Sequence, residues 1–195
     1  MGGDQAPRMV LEGVKIARQR YPGVRFLLFG DSGKIEPFLS DDIRPICTVH
    51  HTPDVVASSD KPSQAVRQGR KSSMWLAIKA VKDGEADGIV SAGNTGALMA
   101  MAKLALRTLP GIDRPAIATL IPTCRGESVM LDLGANTECS ARNLVQFAIM
   151  GSVFFRTLLH FDRPSVGLLN IGSEDQKGTE SLREAASVLR ALPGA

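Results

Sequence analysis

Cysteine and aromatic residues are both scarce in this chain. Its three cysteines, Cys47, Cys124 and Cys139, are odd in number, widely spaced and form no Cys-x-x-Cys pair. That argues against a disulfide framework or a zinc site and for a reducing compartment. One Trp and one Tyr in 195 residues, with no basic tract interleaved with aromatics, give nucleic-acid binding little support. Long apolar runs are missing too. The longest, residues 144–159, is interrupted by Gln146, Ser152 and Arg156, and is too short and too polar for a membrane span. Met1-Gly2-Gly3-Asp4 leads straight into turn and helix, without a signal-peptide pattern. Net charge is only +3, a weak pull toward acidic partners. The balance of 44% hydrophobic and 22% charged residues is that of an ordinary soluble domain.

Several catalytic signatures are also missing. There is no Gly-x-Gly-x-x-Gly dinucleotide fingerprint and no Gly-x-Ser-x-Gly elbow. Residues 172–179 place Lys177 before Gly178, the reverse of a P-loop. His50, His51 and His160 lack metal spacing, and Gly84 and Gly88 break any helix that could pair Asp83 with Asp87. No metal site is therefore expected.

What is present is a repeated arrangement of apolar run, polar turn and helix. Residues 87–97 read Asp-Gly-Ile-Val-Ser-Ala-Gly-Asn-Thr-Gly-Ala, with Asn94 and Thr95 between Gly93 and Gly96 and an apolar helical pattern after them. The start of such a helix leaves unpaired backbone N–H groups where the dipole favours an anion, and glycines allow close approach. An apolar strand at 129–133, carrying Asp132, runs into Gly134-Ala135-Asn136-Thr137. Another at 166–171, carrying Asn170, runs into a polar turn with Lys177 and Gly178. Polar residues thus collect at the carboxyl ends of three strands, where open α/β sheets bind ligands. A shared crevice for a phosphate- or carboxylate-bearing small molecule is expected.

The remaining pattern is α/β. Pro7 opens a helix with Val10, Val14, Ala17 and Tyr21 at helical spacing, stopped by Pro22-Gly23. Strands are expected at 25–29 and 46–49, a short helix at 34–39, and a helix with Met74, Ala77, Ile78 and Val81 on its apolar face. A strand at 88–90 precedes the next helix. The connection between strands 116–121 and 129–133 is too short for a crossover, so they form an antiparallel hairpin and the sheet is mixed. The helix at 141–159 is apolar nearly all round, which makes it fully buried or part of a subunit interface. The last strand, 166–171, leads to a helix with Leu182, Ala185, Ala186 and Leu189 inward.

The basic segment Arg67-Gln68-Gly69-Arg70-Lys71-Ser72-Ser73 reads either as a solvated loop with a serine N-cap or as an anion clamp. Two cations, two hydroxyls and a helix start coincide, so the clamp is favoured, with Arg70, Lys71, Ser72 and Ser73 as ligands beside Gly93, Asn94, Thr95 and Gly96. Asp4, in a double-glycine turn, and Asp132, inside an apolar strand, are oddly placed acids. Asp132 reads equally well as a functional group or as a structural hydrogen-bond hub.

Taken in order, Met1-Gly2-Gly3-Asp4-x-Ala6-Pro7, Arg70-Lys71-Ser72-Ser73-Met74, Ser91-Ala92-Gly93-Asn94-Thr95-Gly96-Ala97, Arg114-Pro115-Ala116, Leu131-Asp132-Leu133-Gly134-Ala135-Asn136 and Val166-Gly167-Leu168-Leu169-Asn170-Ile171-Gly172 resemble the bacterial phosphate acyltransferases of phospholipid synthesis. Each motif is moderately specific, and their ordered run through nearly the whole chain is highly so. The resemblance implies conversion of an acyl group on acyl carrier protein, plus inorganic phosphate, into an acyl phosphate for glycerol-phosphate acylation. It implies a three-layer α/β fold with a mixed, mostly parallel sheet, like isocitrate and isopropylmalate dehydrogenases, and a homodimer. It also implies a cytoplasmic protein, or one peripheral at the inner face of the membrane, functionally linked to a membrane glycerol-phosphate acyltransferase.

Similar proteins have a strand before the Met-Gly-Gly-Asp turn and continue past the last helix. Residues 1–195 are therefore expected to be a single α/β domain lacking its first strand and carboxyl-terminal part.

Phosphate is a usable nucleophile and a thiolate a good leaving group, so the protein chiefly has to bind, align and stabilise an oxyanion. Asp132, Asn136, Asn170 and Lys177 are the candidate catalytic residues. The candidate phosphate and substrate ligands are Asp4, Arg70, Lys71, Ser72, Ser73, Gly93, Asn94, Thr95 and Gly96. No cofactor is expected, and Arg67, Arg70 and Lys71 offer a basic patch for an acidic carrier protein. The competing readings are an NAD-dependent dehydrogenase of the same fold, whose catalytic tyrosine could only be Tyr21, and a non-catalytic phosphate- or partner-binding fragment.

Overall fold

The computed structural model describes residues 2–124, 126–136, 138–172, 174 and 177–192. It is α/β and divides into two compact units, Met1–Arg107 and Thr108–Ala195.

In the first unit, helix α1 (Arg8–Arg20) leads to β1 (Phe26–Gly30), the short α2 (Ser32–Ile35) and two 3-10 turns, and then to β2 (Cys47–His51). The two strands pair in parallel from Phe26 opposite Cys47 to Gly30 opposite His51. Leu11 and Val14 of α1 pack on Leu28 with Ile35, Leu39 and Ile43 to form one core. Val10 and Tyr21, expected on the buried face, are exposed instead. Leu11 and Val14 carry the burial of this helix, and Tyr21 is already its C-cap.

A second core lies under α3 (Pro62–Gln68), α4 (Ser73–Lys82) and α5 (Thr95–Leu106). Val56, Ala65, Met74, Ile78, Ala97, Met101 and Ala105 are its buried members. Ile78, Ala97 and Met101 are fully enclosed.

The second unit begins with the expected hairpin. Strand β3 (Ala118–Thr123) pairs antiparallel with β4 (Gly126–Leu131), from Ala118 opposite Leu131 to Thr123 opposite Gly126. The ladder runs further toward the turn than expected, and it stops before Leu133 because Asp132 turns to φ +64°. Helix α6 (Ala141–Leu159) starts at a capping box, in which Ser140 and Asn143 satisfy each other's backbone N–H. Within this unit only one face of α6 is covered. Asn143, Gln146 and Phe147 are buried, while Ile149, Val153, Phe154 and Leu158 remain exposed. Helix α7 (Glu180–Ala191) is capped by the Thr179 hydroxyl and turns the buried Ala185 inward.

Two expected strands are not formed among the described residues. Residues 88–90 and 166–171 have no regular secondary structure and belong to neither sheet. An apolar run supplies the propensity for a strand, but the ladder needs a partner edge. Val90 is fully exposed at 101%, and Leu169 and Ile171 are over four-fifths exposed. The described sheets are therefore one parallel and one antiparallel pair. Among the described residues no helix is long and apolar enough to cross a membrane.

Candidate functional site

The carboxyl ends of the parallel strands are stitched to the start of α4 by polar side chains. Thr52, directly after β2, is buried; its backbone N–H donates to Gly30 O and its hydroxyl to Lys71 O at 2.7 Å. Asp54 N donates back to the Thr52 hydroxyl, and Asp54 O accepts from Ser73 N. Sequence reasoning missed Thr52, because a lone threonine after a strand carries no signal of its own.

Ser72 is the N-cap of α4. Its buried hydroxyl accepts from Trp75 N and donates to Gly69 O at 2.6 Å. Ser73 is buried beside it, whereas Arg70 and Lys71 are exposed, with the Arg70 guanidinium 5.9 Å from the Trp75 ring centroid. The serine caps and the cations face solvent, as the solvated-loop reading of the basic segment has it.

Asn94 caps α5, its Oδ1 accepting from Ala97 N at 3.0 Å. Its Nδ2 lies within hydrogen-bond distance of three carbonyls, Ala57 O, Ser58 O and Asp60 O, the last at 2.9 Å. Both ends of this amide thus serve the protein's own backbone. An anion at this turn would meet the amides of Thr95 and Gly96, which as first helical residues have no intrahelical acceptor, together with the exposed Thr95 side chain.

The structure brings the amino-terminal turn to the same place. Gly3 has φ +90°, and a Cβ there would sit 2.8 Å from Ala92 O, so only glycine fits. Asp4 follows in an exposed turn. A Cβ on Gly93 would lie 3.3 Å from Met74 Cε and 3.5 Å from Gly2 Cα, and one on Gly96 would lie 3.0 Å from Pro62 Cγ. Four segments distant in sequence, at residues 2–4, 57–62, 72–74 and 91–96, therefore converge in the first unit.

In the second unit Asp132 organises the turn after β4. Its Oδ1 accepts from the backbone N–H of Asn136 at 3.1 Å and from Asn136 Nδ2 at 2.9 Å. Its Oδ2 accepts from the Cys139 thiol at 3.3 Å. Asn136 Nδ2 also donates to Pro115 O, while Arg114 Nη1 donates to Glu138 O at 3.2 Å and reaches Asn136 Oδ1 at 3.5 Å. Arg114 entered the sequence reading only as part of a motif; the fold places its exposed guanidinium beside Asn136.

Partial burial pushes the Cys139 thiol above its ordinary pKa, and the hydrogen bond to Asp132 and that carboxylate's charge push it the same way, against an opposing pull from Arg114. A raised pKa means less thiolate at a given pH, and thiolate is the reactive form. Iodoacetamide at pH 8 is therefore expected to modify the exposed Cys124 before Cys139, and Asp132→Asn should speed Cys139 modification. Peptide mass spectrometry over time reads both; faster reaction at Cys139 in the parent chain would contradict the geometry.

Asn170 and Lys177 meet in the next turn. Asn170 Nδ2 donates to Lys177 O at 3.0 Å, and Lys177 N donates to Glu174 O. Both side chains are exposed. Thr137, Ser173, Asp175 and Gln176 of these turns lie outside the described residues.

A family model described as fatty acid synthesis protein matches residues 1–195. The chain belongs to that family. A protein named phosphate acyltransferase from Rhodospirillum rubrum is 66% identical over 197 aligned residues, covering 99% of this chain and 56% of the relative. Proteins of the same name from Paramagnetospirillum magneticum and Rhodospirillum centenum are 60% and 63% identical, covering 97% and 98% of this chain and 55% and 54% of their own lengths. The motif resemblance read from the sequence is thus borne out. This member of the fatty acid synthesis protein family spans about half the length of the curated relatives it matches.

Proposed function

We propose that this chain carries the phosphate-handling and acyl-orienting residues of an acyltransferase that joins inorganic phosphate to the acyl group of an acyl carrier protein thioester. The reading is supported by the relatives' shared name. The observation that carries it is the convergence of four segments on the start of α5, where glycines expose backbone amides and Arg70 and Lys71 stand exposed.

A phosphate oxygen attacks the thioester carbonyl, the carbon–oxygen bond forms, and the carbon–sulfur bond breaks with the thiolate as leaving group. Phosphate is held by the amides of Thr95 and Gly96, by the Thr95 hydroxyl and by Arg70 and Lys71, with Asp4 beside them. Ser72, Ser73, Gly93 and Asn94 shape that turn. In the second unit Asp132 positions Asn136, and Asp132, Asn136, Asn170 and Lys177 are the catalytic residues. Arg114 adds a cation on the Asn136 side. Residues 1–195 belong to one three-layer α/β domain of the isocitrate and isopropylmalate dehydrogenase kind. The basic residues Arg67, Arg70 and Lys71 meet the acidic carrier protein. The protein works as a homodimer, in the cytoplasm or at the inner face of the membrane, and hands its product to a membrane glycerol-phosphate acyltransferase.

A protein of the relatives' full length that contains this sequence is the object to test. Given isotope-labelled phosphate and an acyl carrier thioester, it is expected to release labelled acyl phosphate, detected by mass spectrometry, without added metal or nicotinamide. Lys71→Ala should raise its phosphate requirement by about ten- to a hundredfold, since a charge-assisted contact is worth roughly 1.5–3 kcal/mol. Absence of labelled product, or an absolute need for NAD, would overturn the reaction. An unchanged phosphate dependence would remove Lys71 from the site.

A further inference from the structure

Gln146 is a buried amide, 7% exposed, in the largely apolar helix α6. Such a group costs free energy unless its polar atoms are hydrogen-bonded. Those of Gln146 all turn to one short segment. Its Nε2 donates to Gly111 O at 2.8 Å and to Asp113 Oδ2 at 3.1 Å. Its Oε1 accepts from Asp113 N at 3.0 Å. Both amide hydrogens and the carbonyl oxygen are thereby used. Asp113 Oδ2 also accepts from Arg142 Nε at 2.8 Å, an exposed pair that adds little.

The segment held in this way runs directly into Arg114. The ring of Pro115, next in sequence, narrows the backbone choices of Arg114. Pro115 O in turn accepts from Asn136 Nδ2. The backbone is therefore pinned on both sides of Arg114, by Gln146 before it and by Asn136 after it. From that base Arg114 Nη1 donates to Glu138 O at 3.2 Å and reaches Asn136 Oδ1 at 3.5 Å. A long exposed side chain samples many rotamers, so fixing its backbone limits where the guanidinium can stand.

We propose that Gln146 is a positioning residue, which fixes residues 111–113 so that the Arg114 guanidinium stands beside Asn136. The placement rests on the hydrogen bonds alone; its part in catalysis rests on the acyltransfer reading above.

Cys139 reports that placement. Burial and Asp132 hold its thiol above the ordinary pKa, and the Arg114 cation works against them. Withdrawing the cation raises the thiol further and leaves less thiolate. Gln146→Leu keeps the bulk of the side chain and removes all three bonds. It is expected to slow iodoacetamide at Cys139 by about twofold or more at pH 8, toward the rate in Arg114→Gln. Arg142→Ala should leave that rate unchanged. A turn that merely loosened would expose the thiol and speed its reaction, so the direction separates positioning from a purely structural role. An unchanged or faster rate in Gln146→Leu overturns the proposal.

Hydrogen exchange on the unsubstituted chain needs no variant to fold. The amide of Asp113, an exposed loop residue, is expected to exchange at least about tenfold more slowly than an unstructured amide. An unprotected Asp113 amide also overturns the proposal. In the longer protein Gln146→Leu should lower kcat by about tenfold with the phosphate KM little changed, because the residues proposed to hold phosphate lie in the first unit. Slowed Cys139 with unchanged kcat overturns the part in catalysis. If Cys139 slows and the longer protein makes no acyl phosphate, only the acyltransfer reading fails. If acyl phosphate forms and Cys139 does not slow, only the positioning fails.

Discussion

Asn94→Ala is expected to lower the stability of the first unit by about 2–4 kcal/mol. The substitution removes the α5 cap, worth roughly 0.5–2 kcal/mol. It also takes away the Asn94 donor that reaches Ala57 O, Ser58 O and Asp60 O, and a carbonyl left without a donor costs about 1–3 kcal/mol where water cannot replace it. For a unit of this size that is a fall in melting temperature of roughly 10–20 °C. Asn94→Ser keeps a capping hydroxyl but cannot span to the 57–60 turn, so it should recover about 1 kcal/mol and no more. Urea melts of the parent and both variants separate cap from clasp. A change below about 0.5 kcal/mol for the alanine variant would show that Asn94 does not hold this turn.

The second large effect is expected at Asp132, and it depends on backbone as much as side chain. At φ +64° an Asp is tolerated better than most residues, whereas alanine brings a Cβ with no local hydrogen bond to compensate. Asp132→Ala loses the contacts to Asn136 and Cys139 and keeps the strain, for about 2–4 kcal/mol. Asp132→Gly loses the same contacts without the strain and should be milder by about 1 kcal/mol. Asp132→Asn keeps one acceptor for Asn136 and should be mildest. In the full-length protein the same order is expected for the loss of acyl transfer, because Asn136 is positioned by this carboxylate. Stability measured by denaturant melts and activity by labelled phosphate should therefore rank the three variants alike. An alanine variant as stable as the asparagine one would refute the positioning role.

These two residues show how far the sequence could be read. The Asp87–Ala97 motif was legible as a turn opening a helix, because Gly-Asn-Thr-Gly before an apolar stripe is a local signal, and α5 begins at Thr95. The task of the Asn94 amide was not legible. Its acceptors lie more than thirty residues earlier, in a turn with no hydrogen-bonding pattern of its own. Asp132 was recognised as misplaced in an apolar run, and the choice between functional group and hydrogen-bond hub stayed open. The contacts to Asn136 and Cys139 make it a hub. Arg114 came to Asn136 only through the hairpin.

The sequence by itself determined the longer helices, the hairpin and the family, whereas α3 was not read from it. Helical periodicity, caps, turn residues and ordered motifs are properties of neighbours along the chain, so they survive without a fold. It also marked the apolar runs at 88–90 and 166–171, whose Val and Ile residues favour a strand. Only the tertiary structure decided whether a run becomes a strand, because a ladder needs a second edge. It alone decided that the Asn94 amide N–H groups do not remain for a ligand, since carbonyls of residues 57–60 are brought to them by folding. Hydrogen bonds that cross long loops are set by packing of the cores beneath them, and no local pattern encodes where those cores will place a carbonyl.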